Sequence, residues 1–279
     1  MKNILLRLRE LKDDMSSTIA CIAQYISDNP EEASRMTARQ LANATFSSPS
    51  SVVRFCRAAG FEGYKEFRQQ LMIELVTLKN DDTTENTSIP ANASMGDIIR
   101  RVTQRNIQCL VNTQYLLDEN TLSECVDLIE KSEKILLFGI GASLCVARDA
   151  YLKFLRVNKL CISNDDWHSQ LLQAKNSGKN DLAIIFSYSG QTVEMIECIK
   201  ELKNNGTKVV VVTRLASSPA EKMADYVLNI AAIEPVFRSG AASSRLAQLD
   251  VLDILYESYI SRHYEECIQQ ISRTHIHKA

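Results

Sequence analysis

With 279 residues, 45% of them apolar and 24% charged, the chain has room for one large or two modest domains with an ordinary core. Its net charge of −2 supplies no global field for nucleic acid, so a DNA-binding surface has to be local. The eight cysteines form no CxxC pair and no metal-ligand spacing, and no apolar run approaches the roughly 18–20 residues of a membrane span, which argues against a zinc module and a spanning helix.

The cysteines mostly fall inside apolar stretches and read as small buried hydrophobes of a reducing compartment. Neither a metal nor another cofactor is expected. Arg7, Arg9 and Glu10 interrupt the apolar residues of the first eleven positions, which is not the pattern of a signal peptide, and a cytoplasmic location is expected.

Residues 1–78 read as short helices. Thr37 caps a helix that runs to Ala44, and Thr45-Phe46-Ser47 forms a tight turn. The next helix has Ser48 as N-cap, Pro49 at its first position and Gly60 as its stop. Two short helices joined in this way make a helix-turn-helix candidate. Its second helix presents Ser50, Ser51, Arg54 and Arg57, and arginine can bond guanine bidentately in the major groove. Between Arg35 and Arg68 the cations outnumber the acids by four, a local basic footprint on a chain of near-zero charge. The DNA-binding candidates are Arg39, Ser48, Ser50, Ser51, Arg54 and Arg57.

Residues 79–94 read as a linker, being polar, aperiodic and interrupted by Pro90. From residue 95 onward the pattern is α/β. A long amphipathic helix, 95–117, has Ile98, Val102, Ile107, Leu110 and Leu117 among its apolar positions, and a second covers 121–131. Strands are expected at 134–138, 160–162, 182–186, 208–212 and 226–230. Helices are expected at 144–157, 170–174, 193–203 and 219–224, and a last helix at 242–262 closes the domain. The alternation predicts a doubly wound parallel sheet between helical layers.

Two of its strand-to-helix turns are rich in glycine and hydroxyls. The first is Gly139-Ile140-Gly141-Ala142-Ser143, where the third glycine of a dinucleotide fingerprint would fall on Leu144. The second is Ser187-Tyr188-Ser189-Gly190-Gln191-Thr192, which lacks the lysine of a nucleoside-triphosphate loop. A helix N-terminus with added hydroxyls suits a phosphomonoester, and two such turns suit one phosphate held from two sides.

The paired GxGxS (Gly139, Gly141, Ser143) and SxSGxT (Ser187, Ser189, Gly190, Thr192) motifs resemble a sugar isomerase (SIS) domain. The resemblance implies that Ser143, Ser187, Ser189 and Thr192 hold a phosphate, with Gly141 and Gly190 in the turns. The order LA…SPSSVVRFCRAAGFEGYKEFR is similar to the helix-turn-helix domain of RpiR/MurR-type transcriptional regulators, which join that module to a SIS domain; Phe46-Ser47 stands where the family usually has a glycine and a small aliphatic residue.

What this implies is a regulator, a repressor before an activator, whose affinity for operator DNA responds to a sugar phosphate and which acts as a homodimer or homotetramer. His168, beside Asp166, and Glu234, with Arg238 and Arg245 nearby, are further candidates for the sugar pocket. The alternative is a phosphosugar isomerase or related SIS-fold enzyme, for which His168 and Glu234 would have to supply the acid–base pair.

Overall fold

The computed structural model describes residues 17–72, 74–75, 89, 91–216, 218–231 and 242–275. The chain forms two compact units that divide between Ala91 and Asn92. Most of residues 79–94 lies outside the described residues.

Among the described residues, the first unit is built of helices. Its helices are Ser17–Asp28, Pro30–Arg35, Ala38–Ala44 and Pro49–Ala58, followed by a helical stretch at 64–72. The core comes from the apolar side of each: Ile22 and Ile26, Leu41, Val52 and Phe55, then Phe67 and Leu71, all essentially inaccessible to solvent. Phe67 takes Phe55 and Phe61 edge-on at centroid separations of 5.2 and 5.3 Å, and each such pair adds about 0.5–1.5 kcal/mol beyond burial. Tyr64 ties the stretch 64–72 to the early helices by donating its hydroxyl to the Met36 carbonyl at 2.7 Å.

The second unit is a five-stranded, all-parallel sheet in the order β2-β1-β3-β4-β5. The strands are β1 (Ile135–Gly139), β2 (Cys161–Ser163), β3 (Leu182–Phe186), β4 (Lys208–Arg214) and β5 (Tyr226–Ile230). All five residues of β1 and of β3 are buried, as strands covered on both faces must be. Alternate side chains serve two cores. Ile135, Leu137, Ile184, Phe186, Val210 and Val212 face helices Ala142–Arg156 and Ala242–Arg262. Leu136, Phe138, Ala183, Ile185, Val209 and Val211 face Trp167–Lys175, Val193–Asn204 and Pro219–Met223. From β1 the chain winds one way to β2 and the other way to β3, so a topological switch point lies between β1 and β3.

Two expectations need correction. Ile107 does not join the core and is 56% exposed; helix Met95–Leu116 buries Cys109, Asn112, Thr113 and Leu116 instead. Polar residues are tolerated there because they are satisfied. Thr113 Oγ1 donates to the Cys109 carbonyl and accepts from Ala231 N, and Asn112 Oδ1 accepts from Gln108. The last long helix does not close the unit either. A further helix, Tyr264–Arg273, follows His263 and buries Cys267.

Candidate functional site

In the helical unit, Thr37 closes a capping box with Gln40, which fixes the start of Ala38–Ala44. Ser48 caps Pro49–Ala58 by accepting from Ser51 N at 3.2 Å. The buried side of this second helix is Val52, Phe55 and Cys56, which leaves Ser50, Arg54 and Arg57 exposed with Arg39 on the preceding helix. Ser51 differs from the expectation of a solvent-facing hydroxyl. It is 6% exposed, and its Oγ bonds Ser48 Oγ at 2.9 Å and accepts from Arg54 Nη2 at 3.2 Å. Lying on the packed side of the helix, it braces the cap and Arg54.

In the sheet unit, the β1 and β3 turns meet at the switch point around a cavity of about 230 Å³. Ile140, Gly141, Ser143, Ser187, Tyr188, Ser189 and Thr192 line it, with Ser244 from the last long helix. The volume falls below the roughly 300–1,000 Å³ of drug-sized ligand sites and fits a small polar molecule.

Three features of the crevice suit an anion. First, helices Ala142–Arg156 and Val193–Asn204, which start on the cavity, have no side-chain cap at Gly141 or Thr192. Four other helices of the unit are capped by Ser94, Asp118, Asp166 and Ser218, and Tyr264–Arg273 lacks a side-chain cap at His263. First-turn N–H groups at the cavity therefore have no side-chain acceptor, although Leu144 N is bonded to Gly141 O at 3.1 Å. Second, the Ser187 hydroxyl is buried and has no hydrogen-bond partner among the described residues. Third, the second turn is rigid. Tyr188 O accepts from Arg214 N and Thr213 Oγ1, both at 3.1 Å, and Gly190 O accepts from Ala220 N at 3.1 Å. Gly190 has φ of +61°, and a Cβ there would stand 2.2 Å from Ser218 Oγ, so only glycine fits.

Two glutamines complete the support. Ser143 Oγ donates to Gln248 Oε1 at 3.1 Å. Gln170 brackets Gly139, accepting from its N at 3.2 Å and donating to its O at 3.0 Å. In this way Gln170 replaces the backbone partner that the short β2 does not supply. The sequence reading missed both. Gln248 leaves a signal: it lies on the buried stripe Ala247, Val251 and Leu255 of its helix, where a polar residue calls for a reason.

His168 is exposed on helix Trp167–Lys175 and is not among the residues that line the cavity. Asp166 serves as that helix's N-cap, and hydrogen bonds from Ser169 hold its carboxyl below the usual range. Arg245 is exposed in the first turn of Ala242–Arg262. Glu234 and Arg238 lie outside the described residues.

A helix-turn-helix unit followed by a doubly wound unit with an anion cradle defines a DNA-binding regulator with a small-molecule domain. Residues 2–77 match the helix-turn-helix domain of the rpiR family, and residues 128–258 match the SIS domain. An uncharacterized HTH-type transcriptional regulator of Caldanaerobacter subterraneus subsp. tengcongensis is 33% identical over 98% of this chain and 96% of its own length. The chain therefore belongs to the rpiR family of HTH-type transcriptional regulators. Among solved structures, the NanR protein of Vibrio vulnificus complexed with ManNAc-6P is 28% identical, with a TM-score of 0.61 over 97% of this chain and 96% of that one. A phosphoheptose isomerase from Francisella tularensis, 14% identical, shares the fold alone, with a TM-score of 0.51 over 61% of this chain and 100% of its own.

Proposed function

We propose that this regulator is a repressor released from its operator by a sugar phosphate bound at the β1/β3 crevice. The observation that carries this reading is the partnerless Ser187 hydroxyl, buried where two uncapped helix N-termini begin. In the bound state Ser187, Ser189 and Thr192 donate to the phosphate, together with backbone N–H groups of the Gly141 and Gly190 turns, and Ser143 joins them by turning its hydroxyl away from Gln248. The likeness to a protein complexed with ManNAc-6P supports an amino-sugar phosphate as ligand. Arg39, Ser48, Ser50, Arg54 and Arg57 contact the operator, and the active species is a homodimer or homotetramer in the cytoplasm, spacing two recognition helices about 34–36 Å apart.

The described lining residues offer anion donors but no carboxylate, imidazole or amine. A mobility shift on DNA upstream of the protein's own gene, at fixed salt, tests the proposal. ManNAc-6P, N-acetylmuramic acid 6-phosphate and glucosamine 6-phosphate form the panel. Specific binding weakened by one of them is the expected result. Specific binding strengthened by one would replace repressor release with corepression or activation. Isomerisation of any panel sugar, with no specific DNA binding, would replace the regulator with the enzyme.

A further inference from the structure

The turn between the two DNA-binding helices contains a residue that the folded chain alone does not account for. Phe46 has φ of +48° and is 99% exposed; the next most exposed large apolar side chain among the described residues, Met95, stands at 70%. A bulky residue in the left-handed region is strained, and an aromatic ring in water gains nothing from folding.

The backbone explains the angle. Ala38–Ala44 ends in a Schellman motif: Phe46 N donates to Asn43 O at 3.2 Å and Ser47 N to Ala42 O at 2.8 Å. The same pair of bonds ends three more helices, with Gly60, Asn158 and Gly206 in the left-handed position. Those are the residue types that the position favours. Phe46 is the exception, although glycine would serve the turn better. The turn is also held firmly, since Thr45 Oγ1 donates to Leu41 O at 2.8 Å and bonds Ser47 Oγ at 2.9 Å. The ring therefore projects from a fixed backbone, two residues before the cap of the helix that carries Ser50, Arg54 and Arg57.

We infer that Phe46 is a DNA contact that packs against the C5-methyl group of a thymine at the edge of the recognition helix's footprint. The strain and exposure of the free protein are offset in the complex, where the ring leaves water. A thymine methyl is the apolar feature of the major groove, and phenylalanine is among the side chains that read it. A helix-turn-helix protein directs the N-terminal end of its second helix at base edges, and the preceding turn sits at that end. The inference rests on the recognition-helix reading above.

The test uses the full chain and a duplex that it selects from a random pool. Each thymine is replaced in turn by deoxyuridine, which removes only the methyl. The wild type is expected to lose about fourfold in affinity per half-site at one thymine position, the worth of one buried methyl. Phe46→Gly and Phe46→Asn relieve the backbone, so both are expected to raise the melting temperature. Both should also bind the parent duplex at least about fourfold more weakly and be indifferent to that uracil. Wild-type affinity in Phe46→Gly, or a uracil profile identical to the wild type's, overturns the Phe46 contact. Arg54→Ala separates the two readings. If it too binds at full strength, the recognition-helix reading itself fails; if it alone weakens binding, only the Phe46 contact is lost.

Discussion

Ser187 separates structure from function at a single atom. Its Oγ is buried without a partner among the described residues, so its removal breaks no hydrogen bond among them. Ser187→Ala is expected to leave urea unfolding unchanged or slightly improved while weakening sugar-phosphate binding by about tenfold or more, the worth of one hydrogen bond to a charged group. Isothermal titration with ManNAc-6P checks this, and an unchanged affinity would remove Ser187 from the cradle. Gly190 should behave in the opposite way. In Gly190→Ala the new Cβ meets Ser218 Oγ, and the backbone holds a left-handed angle. We expect a loss of at least about 1–3 kcal/mol in unfolding free energy. Six of the eight cysteines are buried. Burial pushes the thiols of Cys56, Cys125, Cys161 and Cys198 up to about 12, which suits inert core filling.

At the scale of elements, helix Pro49–Ala58 shows how a sequence divides one helix between packing and contact. Val52, Phe55 and Cys56 are fully buried, while Ser50, Arg54 and Arg57 remain outside. Arg54 is held in place by Ser51, itself bonded to the Ser48 cap, so the cap and the arginine form one unit. Arg54→Ala is therefore expected to lower specific DNA affinity by roughly one to three kcal/mol and to relax base preference at one position of each half-site. A change confined to the salt slope, with base preference intact, would show that Arg54 contacts phosphate instead. Sugar-phosphate affinity should not change in this variant, because the side chain belongs to the other unit. In the sheet unit, the two helices that start on the cavity, Ala142–Arg156 and Val193–Asn204, lack side-chain caps, as does Tyr264–Arg273 elsewhere in the unit.

For the whole molecule, the two units are separate folds in one chain. A sugar phosphate should therefore stabilise the SIS unit alone. At a hundred times its dissociation constant the gain is about 2.7 kcal/mol. Calorimetry should show one of two thermal transitions moving upward with ligand while the other stays. A transition that does not move would argue against the crevice as a ligand site. Regulation is a second matter, because DNA affinity changes only as far as the ligand binds the operator-competent arrangement and its alternative differently.

The amino-acid sequence determined the class of fold, the order of the elements and the two motif-bearing turns. These are written locally, in the all-apolar runs of buried strands and in the Ser, Pro and Gly signals at helix ends. It also marked Phe46-Ser47 as unusual before any angle was known. Tertiary structure alone decided which polar groups were spent internally and which were left open. Ser51, Ser187 and Thr192 look alike in sequence. One braces an arginine, one lies buried without a partner, and one begins a helix without capping it. Ile107 faces solvent, while Asn112 and Thr113 are buried and hydrogen-bonded. Gln170 and Gln248 reach Gly139 and Ser143 across 31 and 105 residues of chain, distances over which no local pattern carries information.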